Sequence, residues 1–194
     1  MTREKIQEIQ RKIGALPDGW WGPKSMAACQ RHLRNLMPKP PVFPRAGHAA
    51  MSAFYGPPGD KVPLVKVQVP FPVFLYDSGR PVEHISIHEK AARSFSSALE
   101  DVFKAYPDKA ALDATGMTKF FGSYVNRPQR GGTAPSKHAW GAAVDFDATR
   151  NGLHAPWPTK SHMPFEIMEI FARHGWVNLG WVIWRDAMHF QATQ

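Results

Sequence analysis

The spacing of hydrophobic residues near the start of the chain predicts two helices joined by a turn. Ile6, Ile9 and Ile13 recur at helical intervals among charged residues, which predicts an amphipathic helix over residues 3–13. Proline, aspartate and glycine at 17–19 form a turn signal. A second helical pattern follows the turn, so the chain begins with a short helical module.

Longer hydrophobic repeats in the second half of the chain predict two more helices and a strand. Apolar residues fall at helical spacing over 89–106 and 164–174, and a proline ends the first run. The segment 142–147 alternates instead, so Val144 points to one face and Asp145 to the other. We therefore expect an α+β fold, in which helices pack on a small and mainly antiparallel sheet.

A further strand is predicted over 82–88, where His84 and His88 would share one face. Two histidines on one face could suggest a second metal site. We favour the simpler interpretation, in which both are half-exposed strand residues without a ligand.

Proline dominates the region between the helical module and the rest of the chain. Prolines at 38, 40, 41 and 44 exclude a helix there and predict a stiff, extended linker. The zone 45–82 has proline-interrupted apolar runs, which favour loops and short edge strands. The predicted organisation is a helical module at 1–37, a proline-rich linker at 38–60 and a main domain at 61–194.

Composition narrows the class of protein without identifying it. The chain has 194 residues, 43% hydrophobic and 21% charged, which is ordinary for a globular protein. No apolar run reaches the roughly 20 residues of a membrane span, and the start lacks the apolar region of a secretory signal. Cys29 is the one cysteine, so a disulfide framework and a thiolate-rich zinc site are both excluded.

Positive charge is concentrated at the start of the chain. The net charge is +8, and residues 1–38 hold seven Lys and Arg against three Asp and Glu. Basic proteins bind polyanions, such as nucleic acid, anionic lipid or the anionic polymers of a bacterial envelope. Charge alone does not choose among these partners.

Two motifs near the end of the chain carry the candidate chemistry. His138 lies just before the predicted strand, Asp145 lies within it, and His189 lies near the C-terminus. Two histidines and one carboxylate are a ligand set that a catalytic zinc accepts while a fourth position stays open for water. Asp186 lies three residues before His189, where a carboxylate could act as general base. Gly141 would permit a close backbone approach that turns His138 towards Asp145.

The same motifs resemble those of the LAS-type zinc peptidases. The resemblance rests on Ser-x-His-x-x-Gly-x-Ala-x-Asp at 136–145 and Asp-x-Met-His-Phe at 186–190. It implies that His138, Asp145 and His189 bind Zn²⁺ and that Asp186 is the catalytic base. It also implies a fold like that of hedgehog and D,D-peptidase domains.

The resemblance further implies residues that hold the substrate. An arginine in this part of the family pattern binds a substrate carboxylate or the oxyanion, and Arg127 is the better match, with Arg130 as a substitute. A guanidinium suits this role because it stays charged and contacts two oxygens. Ser136 in the first motif and Trp181 near the second are the candidate substrate-binding residues.

The N-terminal module is similar to a peptidoglycan-binding helical repeat. The similarity rests on Gln10, Asp18-Gly19 and Trp21-Gly22-Pro23-Lys24-Ser25, and it is shorter than the usual domain. It implies cell-wall binding through Trp20 and Trp21. The alternative is a helical hairpin that packs on the main domain.

Together these resemblances predict a zinc peptidase of bacterial peptidoglycan that cuts the L-alanyl-D-glutamate bond of the stem peptide, as phage endolysins do. A D-alanyl-D-alanine carboxypeptidase and a non-catalytic cell-wall-binding protein are the alternatives. We expect a monomer that binds peptidoglycan, binds no nucleic acid and does not insert into a membrane. Without a signal peptide, it would be made in the host cytoplasm and reach the wall after release by a separate protein.

Overall fold

The structure is a computed structural model that describes residues 1–194. The helices are α1 (Arg3–Lys12), α2 (Pro23–Leu36), α3 (His48–Tyr55), α4 (Glu89–Ala105), α5 (Lys109–Thr115), α6 (Ala148–Asn151), α7 (Phe165–Arg173) and α8 (Leu179–Val182). The strands are β1 (Leu64–Gln68), β2 (Phe74–Leu75), β3 (His84–His88), β4 (Lys119–Gly122), β5 (Ala143–Phe146), β6 (Val177–Asn178) and β7 (His189–Gln191).

The strands form two sheets, and most neighbours are antiparallel. One sheet has the order β2-β4-β5-β7-β6, and only its β2–β4 pair is parallel. The other is the antiparallel pair β1–β3. This arrangement confirms the predicted α+β class and is compatible with a D,D-peptidase-like fold.

One face of the five-stranded sheet is covered by α7, with α4 behind it. The ring of Phe190 on β7 lies 4.3 Å from that of Phe171 on α7, and Phe171 in turn contacts Phe95 on α4. All three side chains are fully buried. Burial of such large apolar surfaces is the main stabilising term of the domain. The opposite face of the sheet carries the predicted ligands Asp145 and His189.

Helix α4 begins directly after His88, which is more deeply buried than the sequence analysis predicted. His88 is fully buried, whereas His84 is exposed, so the two are not a half-exposed pair. The Nε2–H group of His88 donates to the backbone oxygen of Tyr55 over 2.9 Å, and Nδ1 accepts from the N–H of Lys90. Burial lowers the pKa of His88. This histidine therefore caps a helix and joins it to α3.

The predicted linker at 38–60 contains a helix that the sequence did not predict. Its second half contains α3, whose Met51 and Tyr55 are buried, and the Tyr55 hydroxyl donates to the backbone oxygen of Ala192 over 2.8 Å. Proline and glycine spacing pointed to loops because α3 is short and starts after Gly47, with no side-chain cap. The segment therefore holds the C-terminal strand in place.

The N-terminal helices pack against the main domain around a buried carboxylate. Glu169 on α7 is only 1% exposed, and it forms an ion pair with Lys12 of α1 and a hydrogen bond with His32 of α2. Removing Lys12 or His32 would leave the buried charge of Glu169 with fewer partners, which is costly. These contacts agree with the packing interpretation of the hairpin.

The two tryptophans of the turn between α1 and α2 have different environments. Trp21 is buried, and its ring lies 5.3 Å from that of Trp157 and 6.2 Å from that of Trp184. The prediction that Trp21 binds the cell wall is therefore corrected, since its ring surface is used in packing. Trp20 is 76% exposed, so its ring remains available for the predicted contact with the cell wall.

If the helical hairpin is part of the main core, truncating its buried side chains should destabilise the whole protein. Leu33 on α2 is fully buried. We expect Leu33→Ala to lower the free energy of unfolding by about 2–5 kcal/mol, because it removes apolar burial and leaves a cavity. Chemical denaturation measures this change.

Leu16 provides the matched control, since it is 75% exposed in the turn of the same hairpin. Leu16→Ala should change the free energy of unfolding by no more than about 0.5 kcal/mol. Equal, small effects of both substitutions would mean that the hairpin does not share the core.

Candidate metal centre

The register of β5 and β7 brings two of the predicted ligands together. Asp145 and His189 are directly paired in this antiparallel ladder, next to the pair of Val144 and Phe190. Paired residues point to the same face of a sheet. Because Val144 and Phe190 face the core, Asp145 and His189 lie on the opposite, polar face.

The third ligand comes from a single 3₁₀ turn just before β5. This turn, Lys137–Trp140, places His138 beside the strand and ends at Gly141, whose φ is 63°. A Cβ atom at Gly141 would collide with Leu64 Cδ2 and would lie 3.1 Å from the backbone nitrogen of His88. Glycine therefore suits both the left-handed backbone and the close approach of this turn to His88, in agreement with the prediction that Gly141 permits a close approach.

The donor atoms of the three residues converge on one point. His189 Nδ1 lies 2.9 Å from Asp145 Oδ1 and 3.2 Å from His138 Nε2, and His138 Nε2 lies 3.3 Å from Asp145 Oδ2. Tetrahedral zinc with bonds of about 2.0–2.1 Å places its ligand atoms roughly 3.3 Å apart. The separations thus fit a zinc ion, and the donor set of two imidazoles and one carboxylate suits it chemically.

The ring nitrogens that point away from this centre are also bonded. His138 Nδ1–H donates to the backbone oxygen of Ser123, and His189 Nε2–H donates to Gln191 Oε1 over 3.3 Å. Gln191 in turn donates to Thr193 Oγ1 over 2.7 Å. Such outer hydrogen bonds fix the tautomer and orientation of metal-binding histidines. The sequence analysis missed Gln191, although it lies two residues after His189 and so shares its face of β7.

Asp145 is held in its charged form. Burial favours the neutral acid, but hydrogen bonds from His138 and His189 outweigh it and keep the pKa of Asp145 well below its usual range. The centre therefore contains a fixed negative charge enclosed by two imidazoles. A divalent cation would satisfy that charge.

Asp186 lines the same cavity as the three predicted ligands but is not part of the metal-binding group. Its backbone has φ 60°, a left-handed conformation that aspartate tolerates better than most residues. Its Oδ1 atom is buried and has no hydrogen-bond partner in the protein. Burial raises the pKa of this carboxyl above the usual range, and the nearby His189 charge opposes the shift. A carboxylate that lacks a protein partner can accept a proton from a bound water.

The ligands and Asp186 line a cavity of about 320 Å³ together with both candidate arginines and Ser136. Arg127 donates to the backbone oxygen of Pro128 over 3.0 Å, and Arg130 is exposed at the rim. The charge of Arg130 acts on Asp186 and lowers its pKa. Both arginines are therefore placed to meet a negatively charged substrate group.

Trp181 does not line this cavity, so its prediction as a substrate-binding residue is corrected. The side chain is fully buried, and the Arg34 guanidinium lies 5.5 Å from its ring centre. Helix α8 turns Trp181 towards α2, where Gln30 also donates to its backbone oxygen. Proximity in sequence to the second motif was misleading because the short helix directs the ring away from the cavity.

Comparison with known families adds an independent observation. A family model described as D-alanyl-D-alanine carboxypeptidase matches residues 130–192, about a third of the chain. The match includes the three ligands and Asp186. It supports a LAS-type peptidase. No curated protein and no solved structure matches the chain.

The match and the converging ligand set together support a hydrolase that acts on peptidoglycan, and the three ligands could hold a zinc ion. The matched segment begins at Arg130, so it does not extend to the N-terminal hairpin. Separately, none of the helices has the length and apolar character needed to cross a membrane.

Removing any one ligand should abolish metal binding. We expect the wild-type protein to hold about one zinc per chain, and His138→Ala, Asp145→Ala and His189→Ala each to lose it, since two remaining ligands are too few for a stable tetrahedral site. Elemental analysis of dialysed protein measures the stoichiometry. His84→Ala is the matched control, because His84 is exposed and distant from the centre. A His138→Ala protein that still held a full equivalent of zinc would contradict the assignment.

Proposed function

We propose that this protein is a zinc-dependent endopeptidase that hydrolyses the L-alanyl-D-glutamate bond in the stem peptide of bacterial peptidoglycan. The observation that carries the proposal is the convergence of His138, Asp145 and His189 within 2.9–3.3 Å, with the unpaired carboxylate of Asp186 beside them. A peptidase of this class needs both parts, a metal-binding set and a separate base.

The residues divide the chemistry of hydrolysis among them. Bound zinc would supply a Lewis acid for the scissile carbonyl and lower the pKa of a coordinated water towards neutrality. Asp186 accepts the proton of the attacking water and then delivers it to the departing amine. Arg127 or Arg130 holds a substrate carboxylate or steadies the developing oxyanion, because a guanidinium keeps its charge and forks towards two oxygens.

The surface beside the metal centre supports an endopeptidase. Gly122 on β4 pairs with Asp145, so it lies next to the ligand on the polar face of the sheet. A side chain at Gly122 would meet no atom within 4 Å, so the space above it is open. An endopeptidase needs such a path, since its substrate continues on both sides of the cut.

A D-alanyl-D-alanine carboxypeptidase is the second candidate, and two observations favour it. The matching family model carries that description. Arg127 and Arg130 both line the cavity, and a carboxypeptidase needs a cation for the free terminal carboxylate of its substrate.

We also propose that the protein acts as a phage-type endolysin that reaches the bacterial cell wall. The net charge of +8 suits attraction to the anionic polymers of a bacterial envelope. Trp20 and Leu16 are exposed at the tip of the N-terminal hairpin, which supports a wall-contacting role for that tip.

Replacing the base should separate chemistry from metal binding. We expect Asp186→Asn to keep its fold and its zinc but to slow turnover by about 10²-fold or more, since an amide cannot take the proton of water. Turnover on purified peptidoglycan, measured together with zinc content, tests this. Asp77→Asn, at an exposed position, is the matched control and should turn over normally. Normal turnover of Asp186→Asn would mean that another group is the base.

Identification of the products tests the proposed bond. Mass spectrometry of digested peptidoglycan should show new N-terminal glutamate on the stem fragments and no released alanine. Free D-alanine as the main product would instead establish the carboxypeptidase. Absence of any cleavage by the zinc-loaded protein would favour a non-catalytic wall-binding protein.

A further inference from the structure

An exposed aromatic pair lies at the edge of the five-stranded sheet. The rings of Tyr76 and Phe121 stack face to face, with centres 3.8 Å apart and planes inclined by 14°. Tyr76 is 57% exposed, and Phe74 beside it is also exposed. Exposed apolar surface that groups in this way marks an interaction site more often than scattered single residues do.

This pair occupies the same face of the sheet as the metal centre. Leu75 pairs with Phe120, and Phe120 pairs with Phe146 in the core, so these three point inwards. Tyr76 and Phe121 are the next residues along their strands and point to the opposite face. That is the face on which Asp145 carries its carboxylate.

The surface between the aromatic pair and the metal centre is not covered by a side chain at Gly122. A register shift between Phe120 and Gly122 places Gly122 opposite Asp145, and no atom lies within 4 Å of where its side chain would be. Neighbouring strands are about 4.8 Å apart, so β2 runs roughly 10 Å from β5. A substrate at the metal centre can therefore extend over Gly122 onto the aromatic rings.

The chemistry of the surface fits a sugar ring. One face of a pyranose consists of C–H groups, and their partial positive charge is attracted to the negative face of an aromatic ring. Phe121 covers one ring face of Tyr76, and more than half of the Tyr76 side chain remains exposed. Lys119, on the same face next to Phe74, forms no salt bridge and adds positive charge towards an anionic polymer.

We propose that Tyr76 and Phe121 form a subsite for the glycan strand of the polymer whose stem peptide lies at the metal centre. The proposal rests on the proposed function, because it takes peptidoglycan as the substrate. It adds a contact with the sugar, which a peptidase acting on the peptide alone would not require.

The distance between this subsite and the metal centre indicates which bond of the stem peptide would be cut. L-Alanine is the first residue of the stem, so its bond to D-glutamate lies close to the sugar. The terminal D-alanines lie several residues further on, and each extended residue adds about 3.3–3.6 Å. A sugar held roughly 10 Å from the metal centre fits the nearer bond. The subsite thus favours the endopeptidase over the carboxypeptidase.

Binding of glycan strands that lack stem peptides tests the subsite without any hydrolysis. Soluble strands of this kind are titrated into zinc-loaded protein, and chemical shifts of aromatic side chains and the dissociation constant are measured by NMR. We expect shifts at Tyr76 and Phe121 and about fivefold to tenfold weaker binding by Tyr76→Ala. Phe103→Ala, which removes an aromatic ring that is 40% exposed elsewhere, should bind like the wild type.

The proposal is overturned if the wild type does not bind the glycan or if Tyr76→Ala binds it equally well. It is also overturned if sedimentation shows a dimer that Tyr76→Ala abolishes and glycan does not compete with, because the pair would then contact a second copy of the chain. The NMR binding measurement does not depend on cleavage of the stem peptide. A protein that binds glycan but leaves every stem bond intact would therefore refute the proposed peptidase and keep the subsite.

Discussion

The structure depends on the convergence of three donor atoms on one side of a two-strand ladder. Asp145 and His189 face each other because β5 and β7 are in register, and a slip by one residue would turn one of them into the core. His138 completes the group only because Gly141 adopts a left-handed turn in a space where a Cβ would collide with Leu64. Core packing on one face of the sheet thus determines which side chains meet at the metal centre on the other face.

The rest of the chain supports this ladder from several directions. Tyr55 and Gln194 tie the C-terminal residues after β7 to the segment that contains α3, through bonds to Ala192 and Phe43. Glu169 joins the N-terminal hairpin to α7, which lies directly behind β7. The hairpin therefore contributes to the main core, while the tip that carries Trp20 faces solvent.

The chemistry at the site was more predictable from sequence than its surroundings. Ligand types and the two resembling motifs marked His138, Asp145 and His189 as candidates, and the structure brings their donor atoms together. Long-range packing has no such local signal, so the burial of Trp21 and Trp181 was missed. Helix α3 was missed because its few residues lie among prolines and glycines that suggest loops. The stacked pair of Tyr76 and Phe121 depends on strand pairing across 45 residues and was not predictable.

X-ray absorption spectroscopy of the zinc-loaded protein tests the central claim most directly. The account predicts zinc with two imidazole nitrogens and light oxygen donors at about 2.0–2.2 Å, in four-coordinate geometry. A thiolate ligand at about 2.3 Å would contradict it, because the one cysteine, Cys29, is not part of this site. Six-coordinate zinc without imidazole would contradict it equally, because the ion would then lie outside the site formed by β5, β7 and the turn before β5.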